Sequence, residues 1–295
     1  MFSYGAVGTI SYGAIFGIIL TLLVTLILPL IIYVIYGLTN RGKGVWTAWL
    51  LGAAGFFVFQ VILRMPILSL VQAIPGFVNV ITDYYVLYCL VLALTAALFE
   101  VAARFLVAKI LQKKLNYQRG VAAGLGHGGI EAMIIVGMTY VNNLIYAIMI
   151  KTGALRELMG SVAAQEGFSD TFGMLGEIEQ TMVSTPAYAF YLAGYERILT
   201  MIFHVAMSLI VCWFVYKKKA IVGVLIAFVS HFLVDFIVPL LNGLATPFMG
   251  NILTQEAAYG IVYGVLTVVA IVCIVVIVTI CKKWKKEALQ ASAEA

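Results

Sequence analysis

AYGIVYGVLTVVAIVCIVVIVTIC, residues 258–281, carries no charged side chain and stops at the lysine cluster KKWKK, residues 282–286. A helix needs about 20 apolar residues to cross about 30 Å of hydrocarbon, so this stretch is long enough to span a membrane. Working back along the chain, six further apolar stretches lie at about 13–36, 45–68, 84–108, 120–149, 187–216 and 220–243. Of the 295 residues, 63% are hydrophobic and 11% charged, whereas soluble domains carry about 25% charged residues. Lipid is therefore the expected solvent. The spans and their short connections use up the length, leaving no room for a separate soluble domain. The expected fold is all-α: one polytopic transmembrane helical bundle of about seven spans over residues 1–295.

Orientation follows from where the basic residues fall. Arg41 and Lys43 follow span 1, and Lys109, Lys113, Lys114 and Arg119 lie between spans 3 and 4. Lys217, Lys218 and Lys219 join spans 5 and 6, and Lys282, Lys283, Lys285 and Lys286 follow span 7. The alternate connections carry only Lys151 and Arg156, both in the segment 150–186, which is acidic on balance. The positive-inside rule then places the N-terminus outside and the C-terminus inside. The 150–186 connection faces outward in this topology. Within it, Leu155, Leu158, Met159 and Val162 are spaced for a short amphipathic helix, lying on the outer surface or covering the bundle. The first span has no basic residue before it, so it is expected to be retained and not cleaved as a signal peptide.

The net charge of +5 comes from residues that flank spans, and no basic groove with interleaved aromatics offers a nucleic-acid surface. The four cysteines, Cys89, Cys212, Cys273 and Cys281, lie in or at the ends of apolar stretches without a CxxC pair. They read as packing residues. No internal repeat of the inverted-transporter kind is evident.

Ionisable groups inside spans are costly and mark function by default. All three histidines, His127, His204 and His231, fall within predicted spans, with Glu100, Glu131, Glu196, Asp235, Arg104 and Arg197. At a rise of ~1.5 Å per residue from the nearest basic anchor, Glu100, His127, Glu131, His204 and His231 lie ~12–20 Å deep. Four helices of alternating direction thus bring a carboxylate or imidazole to one level, within a catalytic core of about 84–243. Glu100 and Arg104, His127 and Glu131, and His231 and Asp235 are i, i+4 pairs, each on one helix face. Around His127 the chain reads GLGHGGIEA, whose glycines allow close approach by another helix or a substrate.

Such parts suit hydrolysis by activated water. Zinc takes two or three His or carboxylate ligands and keeps a position open for water, which makes His127, His204 and His231 candidate metal ligands. Glu100 or Glu131 can serve as general base, and Arg104 can hold a carboxylate or stabilise an oxyanion. Asp235 shares a helix with His231, so it is expected to orient a histidine of another helix. Structural readings apply to the adjacent Glu196 and Arg197, and to Arg64, expected to snorkel outward near Pro66. Ser208, one turn from His204, reads as a packing residue. HExxH, GxSxG and GxGD patterns are absent.

The segments FEVAAR (Phe99–Arg104), GLGHGGIEA (Gly124–Ala132) and SHFLVDF (Ser230–Phe236) resemble the YhfC family of intramembrane metalloproteases, itself thought to be related to the CAAX-prenyl-protease and bacteriocin-immunity superfamily. The resemblance implies a four-helix catalytic core. In it Glu100 matches the first acidic motif, His127 the second-motif histidine, and His231 with Asp235 the terminal motif, while His204 supplies the remaining histidine. The first motif often has two consecutive glutamates; here Val101 follows Glu100, and Glu131 becomes the candidate for the missing carboxylate. With this resemblance the expected cofactor is zinc, a glutamate-and-histidine site that activates water without zinc staying open; the expected substrate is a membrane-associated protein or peptide, and the expected location a bacterial plasma membrane. Two other readings of the same cluster stay open: a proton-coupled transporter, since intramembrane Glu, His and Asp chains relay protons, and a non-enzymatic immunity-type membrane protein.

Overall fold

The structure, a computed structural model, describes residues 9–77, 79, 83–163 and 169–293. The main helices are α1 (Tyr12–Thr39), α2 (Val45–Gln72), α3 (Tyr85–Lys114), α4 (Tyr117–Thr152), α5 (Ala154–Ala163), α6 (Ser169–Ser184), α7 (Ala187–Tyr216), α8 (Ala220–Gly243) and α9 (Gln255–Ala293). No strand occurs among the described residues. Seven of these helices, α1–α4 and α7–α9, are long and apolar enough to cross a membrane, and each covers one of the seven predicted stretches. The chain is an integral, multi-pass membrane protein.

It divides into two compact units. The first takes the chain up to Pro29 with Ala132–Ile198. In it, Thr21 Oγ1 donates to the Phe190 carbonyl at 2.7 Å, and Tyr191 donates to the Gly13 carbonyl at 3.1 Å. Where a single amphipathic helix was expected in the 150–186 connection, two helices form, α5 and α6. Leu155 and Met159 of α5 are buried with Leu175 and Met182 of α6, while Leu158 is exposed. Arg156 Nε donates to Glu179 Oε1 at 3.0 Å across the pair. Residues 164–168 of the connection, Glu166 among them, lie outside the described residues. Glu196 and Arg197 pair with each other through Oε1 and Nη2.

The second unit comprises Leu30–Glu131 and Leu199–Ala295. Between helices in lipid there is no hydrophobic driving force, so close packing rests on small residues and interhelical hydrogen bonds. The GLGHGG run of α4 supplies the small residues on two sides. A Cβ at Gly126 would collide with the Trp49 carbonyl of α2, and one at Gly52 of α2 would collide with the Ala123 carbonyl. On the other side a Cβ at Gly124 would lie 2.5 Å from Val205 Cα of α7, and one at Gly128 would lie 2.9 Å from His204 Cβ. The glycines thus serve approach by other helices. They press α4 against α2 and α7 so that His127, between them in sequence, is buried beside His204.

Basic residues gather at the loops of this unit. Arg119 donates to the Lys43 carbonyl at 2.9 Å and to the Lys114 carbonyl at 2.7 Å, fastening the α1–α2 and α3–α4 connections to one another. Lys217 pairs with Glu287 at 2.7 Å.

Candidate active site

All the core ionisable residues picked out in the sequence, Glu100, Arg104, His127, Glu131, His204, His231 and Asp235, come together in the second unit. Glu100 is the hub. Its Oε2 receives Arg104 Nη2 at 3.0 Å, from one turn along α3, and His127 Nε2 of α4 at 3.1 Å. His231 Nε2 of α8 stands 3.1 Å from the same oxygen, and His204 Nδ1 of α7 stands 3.7 Å away. The i, i+4 spacing of Glu100 and Arg104 is what lets one helix face supply both charges.

A second carboxylate completes the cluster. Glu131 Oε2 lies 2.8 Å from His204 Nε2, and the other nitrogen of that ring, Nδ1, lies 2.5 Å from Arg104 Nη2. Asp235 Oδ2 lies 3.3 Å from Nε2 of His231. One α-helical turn brings the two side chains of α8 side by side. His127 stacks on His204 and His231 on Phe203, His204 and His231 tilt against each other, and Phe56 meets His127 and Phe203 meets His204 edge-on, with ring centroids 5.2–5.8 Å apart. These aromatic walls hold the rings in place.

Burial grades across the cluster. The side chains of Arg104, His127, His231 and Glu100 are 1–7% exposed, whereas Glu131 is 15% and Asp235 31% exposed. Glu131 and Asp235 form the accessible edge of the site, and Glu100 its floor.

Two further residues belong to the floor. Gln60 of α2 donates its Nε2 to Glu100 Oε1 at 2.6 Å, and Arg64 Nη1 donates to Gln60 Oε1 at 3.3 Å, which fixes the direction of the amide. Arg64 does not snorkel. Its guanidinium turns inward to the Leu92 carbonyl (2.9 Å) and Thr95 Oγ1 (3.3 Å) of α3, acceptors that an apolar surround makes the better choice for a charged group. Gln60 is neutral and so does not stand out among the charges of the spans. Its signal was an amide four residues before an arginine in an otherwise apolar span. Both residues lie in a π-helical stretch, Phe57–Arg64, and a second such stretch, Ala132–Gly137, begins directly after Glu131. Local π-helix is frequent at functional sites.

The cluster has the chemistry of a metal-binding set. Glu100, His127, Glu131 and His204 each offer a ligand atom, all within 4.8 Å of one another. Both ring nitrogens of His231 are buried and make no hydrogen bond, although Nε2 abuts Glu100. Imidazole nitrogens and carboxylate oxygens converging from several helices are the donors zinc prefers.

The chain is 27% identical over 222 residues to a Bacillus subtilis (strain 168) protein described as uncharacterized membrane protein YhfC, covering 75% of this chain and 80% of that one. No solved structure matches it. The family described as YhfC intramembrane metalloprotease matches residues 22–257, which include every residue of the cluster. The chain belongs to the YhfC intramembrane metalloprotease family.

Proposed function

We propose that this protein is a metal-dependent intramembrane peptidase that hydrolyses a peptide bond of a membrane-associated protein or peptide in a bacterial plasma membrane. The observation that carries the reading is the convergence on Glu100 Oε2 of nitrogens from α3, α4 and α8, with a second carboxylate, Glu131, one histidine away. The ion the donor set best fits is zinc, held by members of the group Glu100, His127, Glu131, His204 and His231. When bound it would supply Lewis-acid activation of water and of the scissile carbonyl.

The two glutamates divide the work. Glu100 already accepts from Gln60 on one oxygen and faces Arg104, His127 and His231 on the other. A carboxylate so engaged anchors the histidines and has little capacity left to take a proton. Glu131 is more accessible and has a histidine beside it, so it takes the proton of the attacking water and returns it to the departing amine. Asp235 stands beside the buried His231 ring and is itself at the accessible edge, where a substrate carbonyl arrives.

The test is co-expression with candidate membrane substrates, reading a new, shorter fragment. Glu131→Gln is expected to slow its formation about 10²–10⁴-fold, the contribution of general acid–base catalysis, with the protein level unchanged. Undiminished cleavage by this variant would remove Glu131 from the chemistry. If no fragment forms with any substrate and the carboxylate variants instead change the pH dependence of uptake, the transporter reading takes its place.

The positive-inside orientation is part of the proposal. In a background without native cysteines, single cysteines at Lys114 and Gly160 are expected to label from opposite sides, Lys114 from the cytoplasm. Labelling of both from outside would overturn the topology.

A further inference from the structure

We infer that Gln60 and Arg64 of α2 are positioning residues of the site: together they fix the plane of the Glu100 carboxylate, turning Oε2 and not Oε1 to the histidines. The inference rests on the reading of the cluster as a hydrolytic metal site and deepens it. The last torsion of a glutamate side chain is broad and two-fold. A helix that places Glu100 in the core therefore leaves its two oxygens interchangeable and its plane free to turn. Arg104 and His127 bond Oε2, and His231 abuts it, but ties at one oxygen leave that oxygen a pivot. The Gln60 amide, 2.6 Å from Oε1, supplies the second point that a plane needs. Gln60 is 3% exposed, so water does not compete for this contact.

An amide has an ambiguity of its own, since its two ends have nearly the same shape and differ in whether they accept or donate. Turned over, Gln60 would set its oxygen against the Glu100 oxygen, two acceptors with no hydrogen between them. Arg64 forbids that orientation. A guanidinium has donors only, and Arg64 Nη1 stands 3.3 Å from Gln60 Oε1, so that atom accepts and Nε2 is left to donate to Glu100. Arg64 is in turn tied to α3, by Nη2 to the Leu92 carbonyl at 2.9 Å and by Nε to Thr95 Oγ1 at 3.3 Å. Thr95 gives its own hydrogen to the Val91 carbonyl at 2.9 Å, which leaves its oxygen to accept. The chain of bonds thus leaves α3 at Leu92 and Thr95, passes through Arg64 and Gln60, and returns to α3 at Glu100. Arg64 sets the amide, and the amide sets the carboxylate.

Equilibrium dialysis of the detergent-purified protein with zinc alone reads the effect without a substrate, and melting temperatures report the fold of each variant. Gln60→Met keeps the length and removes the amide. It should weaken zinc binding about 10–100-fold, the usual loss when a group that orients a ligand is removed. Arg64→Met should fall in the same range, and Arg64→Lys, a point charge without the planar fork, should lose less. Adding Arg64→Met to Gln60→Met should cost no more than about a further twofold, because Arg64 acts through Gln60, whereas two independent structural losses would multiply. Wild-type affinity in Gln60→Met, or multiplied losses in the double variant, overturns the proposal. A second measurement needs no metal. In ¹⁵N-glutamine-labelled protein, the side-chain signal lost in Gln60→Met should exchange slowly with solvent in wild type and faster in Arg64→Met; equal exchange in the two overturns the proposal as well. If Gln60→Met does not fold, Gln60→Glu assigns the signal and unchanged zinc affinity in Arg64→Met is the overturning result. If wild type binds no zinc, the metal reading fails, while the exchange of this amide still decides whether Arg64 holds Gln60 on Glu100.

Discussion

Glu100→Gln is expected to abolish proteolysis and also to destabilise the folded protein by about 3–5 kcal/mol, the cost of stripping a buried charge of its partner. The charge left behind is Arg104, whose side chain is 1% exposed and whose nearest anion is Glu100 at 3.0 Å. Glutamine keeps the shape and can still bond Gln60, but it leaves the guanidinium with the His204 ring and no counter-charge in the floor of the site. The two losses separate in a double variant. Glu100→Gln combined with Arg104→Met removes both charges, so thermal stability in detergent should recover most of the way towards wild type while fragment formation stays absent. Full stability of the single variant would mean that water reaches Arg104 and that the floor is not dry. Recovery of cleavage in the double variant would remove Glu100 from the chemistry altogether.

The second large effect is expected at Gly126. Gly126→Ala places a methyl group against the backbone carbonyl of Trp49, and Gly52 on the facing helix is equally close to the carbonyl of Ala123. A carbonyl within a helix cannot rotate aside as a side chain can. Relief therefore requires α2 and α4 to part, carrying Gln60 away from Glu100 and His127 away from its neighbours. Overpacking costs about 1–3 kcal/mol where side chains can adjust, and the upper end applies here. It outweighs the roughly 1 kcal/mol by which alanine exceeds glycine as a helix former. Gly160→Ala in α5 is the matched control: nothing lies within 4 Å of its added Cβ, so only the helix-propensity gain remains and stability should rise slightly. Melting temperatures of the two variants moving in the same direction would show that the glycine contact between α2 and α4 does not limit stability.

Much of the site was legible in the sequence because a membrane enforces a simple rule. An ionisable side chain in hydrocarbon must find a partner, so Glu100, His127, Glu131, His204, His231 and Asp235 stood out against apolar surroundings, and helical rise placed them at one depth. Gln60 was missed and Arg64 misread for the same reason in reverse. A neutral amide carries little penalty, and an arginine near a span end has two ways to satisfy itself, outward to headgroups or inward to carbonyls. Local sequence cannot choose between them. The Leu92 carbonyl and Thr95 hydroxyl of a neighbouring helix make the choice.

By itself the sequence determined that the chain is a seven-span helical membrane protein and which residues must be satisfied inside it. Those properties follow from hydropathy, segment length and helical periodicity, all local along the chain. Tertiary structure decided which nitrogen meets which oxygen. That Glu100 is a saturated floor and Glu131 an accessible edge depends on how closely the glycines of α4 let α2 and α7 approach. The direction of the hydrogen bond between Arg104 and His204 depends on a contact across 100 residues of chain. Depth and periodicity say that such groups share a level and a face; only packing sets the ångström-scale distances and donor directions on which proton position, and therefore chemistry, depends.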